Sequence, residues 1–268
     1  MTEPWAKNAA KNLEAMRRGC PLVHNITNYV VMNVTANALL AAGASPVMAH
    51  AVDEVEEMVS LAGALVLNIG TLSLPWVDAM LRAGRRANER HVPVILDPVG
   101  AGATAFRTDT ARRLLGEVEI RVVRGNPSEV LSLAQEASAT KGVDSVHGVQ
   151  EAAEVAGALA EKLGFTVAVT GEEDFVTDGA RSCRIANGHP LMGRLTGSGC
   201  TATALIGAFL AVEDDPVAAS AGALAYFGVS GEKAAETADA PGSYQVALLD
   251  ALYRLTPEEL EAGARTRS

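Results

Sequence analysis

The segment Leu195-Thr196-Gly197-Ser198-Gly199-Cys200 leads straight into an apolar stretch, Thr201 to Leu210. Glycines just before a helix let successive backbone N–H groups converge on one point, and the helix N-terminus adds roughly half a positive charge. Gly197, Ser198, Gly199 and Cys200 thus suit an anion hole for a phosphoryl group in transfer. No P-loop pattern G-x-x-x-x-G-K-[S/T] occurs anywhere in the chain. Cys200 opens the helix, where a thiol's pKa is expected to fall, and a thiolate there can serve as general base toward a substrate hydroxyl. A plainer alternative stands beside this one: a glycine turn before a buried helix, with Cys200 a small core residue. Cys20 and Cys183 are read in that plain way.

More polar residues gather where strand-like runs stop. Met48 and His50 lie at the end of Pro46–Ala49, and Asn68 and Gly70 at the end of Ala64–Ile69. Val92–Leu96 runs into Asp97-Pro98-Val99-Gly100, Ile120–Val123 into Arg124, Asn126 and Glu129, and Thr166–Val169 into Thr170. In an open parallel sheet, ligands bind beyond the carboxyl ends of the strands. Asp97 and Glu129 therefore emerge on one rim, and paired hard carboxylates with an arginine nearby suit Mg²⁺ plus phosphate. Singly, each has a bland reading: a turn residue, a first-turn acid, a surface arginine. The repetition at successive strand ends favours the site. Gly100–Ala105 fits G-x-G-x-x-A, but Asp97-Pro98 intervenes and no strand-ending acid follows at the spacing that holds a ribose.

Those strand ends need an α/β scaffold. The five runs lack two-residue alternation, as strands covered on both faces do. Helical segments lie between them: one capped by Asn28 and ending at Gly43, one over 53–62, one capped by Ser73 with Pro75 in its first turn. Repeated strand–helix–strand units predict a mostly parallel sheet with helices on both faces. Phe175–Thr177 and Arg181–Ile185, joined at Asp178-Gly179, read as a β-hairpin with a two-residue turn. The remainder reads as wholly helical: Cys200–Val212, Pro216–Gly228, Ser230–Ala238 and Ser243–Leu255. Residues 134–148 read as a loop too short to separate domains, so 1–268 is expected to form a single domain.

Composition narrows the function classes. Of 268 residues, 49% are hydrophobic and 32 acids outweigh 22 bases, for a net charge of −10. Disorder and nucleic-acid binding are both excluded on that balance. No charged residue occurs from Gly19 to Val52. Asn25, Asn28, Asn33, Asn37, Pro21 and Pro46 interrupt this run, which makes it buried structure and not a membrane span. The N-terminal segment is an amphipathic charged helix without a signal-peptide core, and three scattered cysteines suggest no disulfide or zinc framework. A cytoplasmic protein is expected.

Together, Pro21–Val30, Ser45–Met48, Leu67–Leu72, Leu96–Ala101, Arg124–Glu129, Lys141–Ser145 and Gly197–Cys200 resemble the hydroxyethylthiazole kinases, in order, over residues 12 to 250. The resemblance implies a ribokinase-like fold and phosphorylation of 4-methyl-5-(2-hydroxyethyl)thiazole by ATP with Mg²⁺, in thiamine biosynthesis or salvage. By resemblance, Met48 and Gly197 bind substrate, with Asn25 and Gly70 on the same wall. Arg124 and Thr170 bind ATP, with Asn126 in the same element. Asp97 and Glu129 organise Mg²⁺. Cys200 takes the place where most ribokinase-like kinases carry an aspartate base, which leaves it either base or positioner. Ser198 replaces the family's usual threonine. A homotrimer with the thiazole site between subunits is the implied assembly. Within the fold, a hydroxymethylpyrimidine kinase or a lyase repairing hydrated nicotinamide cofactors is the alternative, each expected to carry Asp at position 200. A non-catalytic nucleotide sensor is the alternative of another class.

Overall fold

The structure, a computed structural model, describes residues 5–134 and 149–268. Lys141–Ser145 lies outside the described residues. Among the described residues, nine strands form one sheet in the order β2-β1-β3-β4-β5-β6-β7-β8-β9. The parallel portion comprises β1 (Leu22–Ile26), β2 (Ser45–Val47), β3 (Ala64–Asn68), β4 (Val94–Asp97), β5 (Val122–Gly125) and β6 (Thr166–Val169). An antiparallel edge follows: β7 (Asp174–Thr177), β8 (Ser182–Ile185) and β9 (Thr266–Arg267).

Strand alternation divides the core in two. Val23, Val66, Ile95, Val122 and Ala168 face α1 (Trp5–Gly19), α2 (Met32–Ala42), α8 (Ser198–Leu210), α9 (Pro216–Ala235), α10 (Pro241–Arg254) and α11 (Pro257–Gly263). Ile26, Leu67, Leu96, Val123 and Val167 face α3 (Val55–Val59), α4 (Leu74–Glu89), α5 (Ala105–Glu117), α6 (Pro127–Ala134) and α7 (Val149–Leu163). With both faces covered, the strands read as continuous apolar runs. The α/β class, the parallel sheet and the helices on both faces are as the sequence predicts.

Several local expectations are corrected. Asn28 does not cap α2; Val31 holds that position, and Gly43 ends the helix at φ 104°, as expected. The Asn28 amide is taken instead by Asn68, at 2.8 Å. Sequence reading passes over β1, because His24 and Asn25 interrupt its apolar run, yet both are fully buried. Ser73 stands at the start of α4, but its side chain makes no capping bond. The hairpin turn is four residues, Asp178–Arg181, since Asp178 Oδ1 accepts from the N–H groups of Ala180 and Arg181. Pro216–Gly228 and Ser230–Ala238 are one helix, α9. Gly228 sits inside it because Asn187 packs where a side chain would be, 2.6 Å from an ideal Cβ. The C-terminal region is not wholly helical: it ends in β9. Cys183 is buried as expected, whereas Cys20 is exposed and not a core residue.

Candidate active site

Strand register assembles the site. Asn68 is paired with Asp97 across β3 and β4, and Leu96 with Val123, so Asp97 and Arg124 come level on β4 and β5. All three project to the α8 face of the sheet, continuing the alternation of Val66, Ile95 and Val122. Asn68 Nδ2 donates to Asp97 Oδ2 at 2.8 Å, and Thr203 Oγ1 donates to the same oxygen at 2.8 Å. Asp97 Oδ1 accepts no hydrogen bond, its nearest charge being Arg124 Nη1 at 3.7 Å. Arg124 in turn donates to the Thr170 hydroxyl.

The first turn of α8 closes over this row. Gly197 adopts φ 90°, a left-handed conformation that frees the helix to start at Ser198. The Ser198 hydroxyl is spent on the carbonyls of Met192 and Leu195, at 2.6 and 3.2 Å. Gly199 has no room for a side chain: a Cβ would lie 2.5 Å from Arg124 Nη1. A guanidinium thus rests against the positive end of a helix, an arrangement that negative charge must stabilise. Asp97 supplies one buried negative charge, and Arg124 Nε is left without a partner. The first turn of α8 and the Arg124 guanidinium thus place positive charge at one spot, which is where the glycine spacing leads one to look for an anion.

Cys200 faces the same row, its sulfur 3.7 Å from Asn28 Nδ2. The expected fall in its pKa does not occur. Burial and the charge of Asp97 push the thiol up to about 11, outweighing Asn68, Arg124 and Asn28. The helix end acts on a thiol that has lost water and gained a carboxylate neighbour, and those two effects win. Asp97 itself is raised to about 6 by burial, with Glu129 adding to the shift and Arg124, Thr203 and Asn68 opposing it.

Glu129 sits one strand along from Asp97. Its oxygens accept from the Gly100 N–H at 2.9 Å and the Asn126 N–H at 2.8 Å, while Asn126 Oδ1 accepts from the Glu129 N–H at 2.9 Å. The reciprocal pair caps α6 and fixes the carboxylate on the rim. Among the described residues no three His, Cys, Asp or Glu groups form a metal cage. The orphaned Asp97 Oδ1 and the tethered Glu129 fit Mg²⁺, which takes one or two carboxylates and completes its shell with water and phosphate.

Beside this row opens a cleft of about 720 Å³, lined at one end by Arg124, Asn126, Thr170, Ser198 and Gly199, and at the other by Asn187–Pro190, Leu224 and Phe227. Of the sequence-predicted residues, Asp97, Arg124, Thr170, Cys200 and Gly199 meet directly. Asn126 and Glu129 join through Gly100. Gly70 lets Asn28 cross over it, since a Cβ would lie 2.5 Å from Asn28 Nδ2. Asn25 is buried on β1 with Oδ1 unpartnered, and Met48 is half-buried beyond β2; neither hydrogen-bonds to the row. Near Met48, the rings of His50 and Tyr29 pack on Trp76, at 4.7 and 4.6 Å between centroids.

Sequence reasoning missed Asn28, Asn68 and Thr203 as a hydrogen-bonded set, and with them the Tyr29–Trp76 pair and Asp174. The signal for Thr203 was its place one turn after Cys200. Asp174 lines the cleft, where burial raises it to about 7 although the Gly171 N–H and Arg124 oppose the shift.

Comparison with known proteins agrees with this geometry. A family model described as the hydroxyethylthiazole kinase family matches residues 13–258. A hydroxyethylthiazole kinase of Desulfotalea psychrophila is 57% identical, over 97% of this chain and 95% of its own. The solved structure of the hydroxyethylthiazole kinase protein from Pyrococcus horikoshii superposes with a TM-score of 0.90 at 47% identity, covering 97% of this chain and 98% of that one. A ribokinase-like superfamily protein of Enterococcus faecalis shares the fold alone, at 15% identity, 92% and 89% coverage and a TM-score of 0.62. With a family model matched over residues 13–258 and relatives at 57% and 47% identity along nearly the whole length, the chain belongs to the hydroxyethylthiazole kinase family.

Proposed function

We propose that the protein transfers the γ-phosphoryl group of ATP to the primary alcohol of 4-methyl-5-(2-hydroxyethyl)thiazole, a step of thiamine biosynthesis or salvage in the cytoplasm. The observation that carries this reading is the Arg124 guanidinium laid against the first turn of α8, with Cys200 and Asp97 on either side. Phosphoryl transfer passes through a loose transition state, so positioning and charge stabilisation do most of the catalysis. The polar end of the cleft takes the triphosphate: Arg124, Thr170 and Asn126 bind it, and the N–H groups of residues 197–200 face the charge that develops in transfer. Asp97 and Glu129 hold Mg²⁺, which supplies neutralisation of the phosphate oxygens. Met48, Asn25, Gly70 and Gly197 form the wall for the thiazole. Cys200, a protonated thiol in keeping with its raised pKa, orients the alcohol, and the alcohol's proton passes to an oxygen of the transferred phosphoryl group as the O–P bond forms. A homotrimer completes the thiazole site from a neighbouring subunit. Exposed Tyr29 and Val30 beside the site support that assembly. Isothermal titration of the thiazole alcohol into protein saturated with ADP and Mg²⁺ should show one site per chain. A thiazole that does not bind, while ADP does, rejects the substrate assignment.

A further inference from the structure

Arg265 and Arg267 lie past the span matched by the family model, and neither lines the nucleotide cleft. Yet both grip segments that do. The backbone of Arg265 accepts from the Ala186 N–H at 3.0 Å and donates to Asn187 Oδ1 at 2.7 Å. Its guanidinium donates to the Ala186 carbonyl at 2.6 Å and forks onto Glu232 at 2.6 and 3.0 Å. Glu232 also accepts from the Gly188 N–H at 2.7 Å and from Asn187 Nδ2 at 3.2 Å. Residues 186–188 line the end of the cleft away from Arg124, and Asn187 is pressed onto Gly228 of α9 beneath it. Two positions on, in β9, Arg267 donates to both oxygens of Glu173 at 2.8 and 3.0 Å. Glu173 belongs to the turn Thr170–Asp174, which lines the phosphate end.

We propose that the C-terminal segment is a clasp that sets both ends of the nucleotide cleft, with Arg265 a positioning residue for nucleoside triphosphate binding and Arg267 a lesser one. The clasp rests on the nucleotide reading of the cleft given above, but not on the thiazole. It acts through Glu232 and Asn187 on the shape of the cleft, and the hydrogen bonds of Arg265 and Arg267 given above stop short of Asp97, Arg124 and Cys200. Removing it therefore alters nucleotide affinity and leaves the chemical step alone.

The test uses the full chain with Mg²⁺, measuring ADP affinity by isothermal titration and steady-state kinetics with ATP and the thiazole alcohol. For an exposed but bidentate pair, Arg265→Ala is expected to raise the Kd for ADP and the KM for ATP about fivefold. The kcat and the KM for the alcohol stay within about twofold, as expected when only uniform binding is lost. Arg265→Lys, which keeps the charge but not the fork, falls between. Arg267→Ala raises the same two constants about twofold. An unchanged ADP affinity in a folded Arg265→Ala protein overturns the clasp, as does a fall in kcat with that affinity intact. If Arg265→Ala does not fold, Arg265→Lys and Arg267→Ala carry the test with the same outcomes. An unaltered protein that binds no ADP overturns the clasp too. An unaltered protein that binds ADP through the clasp but does not phosphorylate the alcohol leaves the clasp standing and removes the kinase reading.

Discussion

Asp97 shows how burial sets the chemistry of a single residue. It is completely buried, with one oxygen bonded to Asn68 and Thr203 and the other accepting nothing. A carboxyl held at about 6 against an ordinary 3.8 costs the ionised folded state on the order of 3 kcal/mol. The sign follows from linkage. The folded form binds the proton more tightly, so the penalty is absent below about pH 4 and grows as pH rises through about 6. Asp97→Asn removes the charge and keeps an acceptor for Asn68 and Thr203. Without nucleotide or metal it should therefore melt about 3 to 6 °C higher than the unaltered protein at pH 7.5, with the difference vanishing near pH 4, while losing activity. An equal or lower melting temperature at pH 7.5 rejects the account of Asp97. Cys200 is the complementary case. With its thiol raised to about 11, it is protonated in the resting enzyme. Cys200→Ala should lower kcat about 10²-fold through loss of the group that orients the alcohol, with the KM for ATP nearly unchanged. An unchanged kcat returns the thiol to a packing role.

At the scale of elements, the site depends on where α8 begins against the ends of three strands. The left-handed Gly197 starts the helix, and Gly199 lets Arg124 lie on its first turn. An Ala at 199 suits a helix, so fold stability should hold, but its methyl group displaces the guanidinium. Gly199→Ala is expected to raise the KM for ATP about tenfold in initial-rate assays, since one charge-assisted phosphate contact is lost. An unchanged KM would contradict the placement of Arg124. Asp97 and Arg124 stood out as candidates in the sequence because each follows an apolar run and precedes a Pro or Gly, and Glu129 because it closes the Asn126–Glu129 helix start after the same run. What the sequence hid is register. Nothing in the spacing of Asn68, Asp97 and Arg124 places them side by side; the ladder of β3, β4 and β5 does so. Asn28 misleads because Asn is a common cap residue, and only the tertiary partner Asn68 draws its amide away. β1 escapes notice because two buried polar side chains break its apolar pattern. A helix terminus alone points to a lowered thiol pKa, without the burial and the carboxylate that only folding brings near.

For the whole molecule, a net charge of −10 makes nucleotide binding a local matter. In the function proposed above, that attraction comes from Arg124, the first turn of α8 and a metal at Asp97 and Glu129. The charge-free run from Gly19 to Val52 supplies β1, α2 and β2 at one flank of the sheet. It leaves Tyr29 and Val30 exposed by 66% and 63%, in line with a subunit seam. Light scattering should give the mass of a trimer, and Val30→Glu, a charge placed in that seam, should dissociate it and abolish thiazole turnover while ADP still binds. A protein that is monomeric and fully active rejects the shared site. The central claim is the reaction. Incubated with Mg-ATP and 4-methyl-5-(2-hydroxyethyl)thiazole, the protein is expected to give ADP and the thiazole phosphate in equal amounts by phosphorus NMR, with Cys200→Ala sharply slower. A folded protein that binds ADP yet forms no phosphate ester of that alcohol would contradict the account.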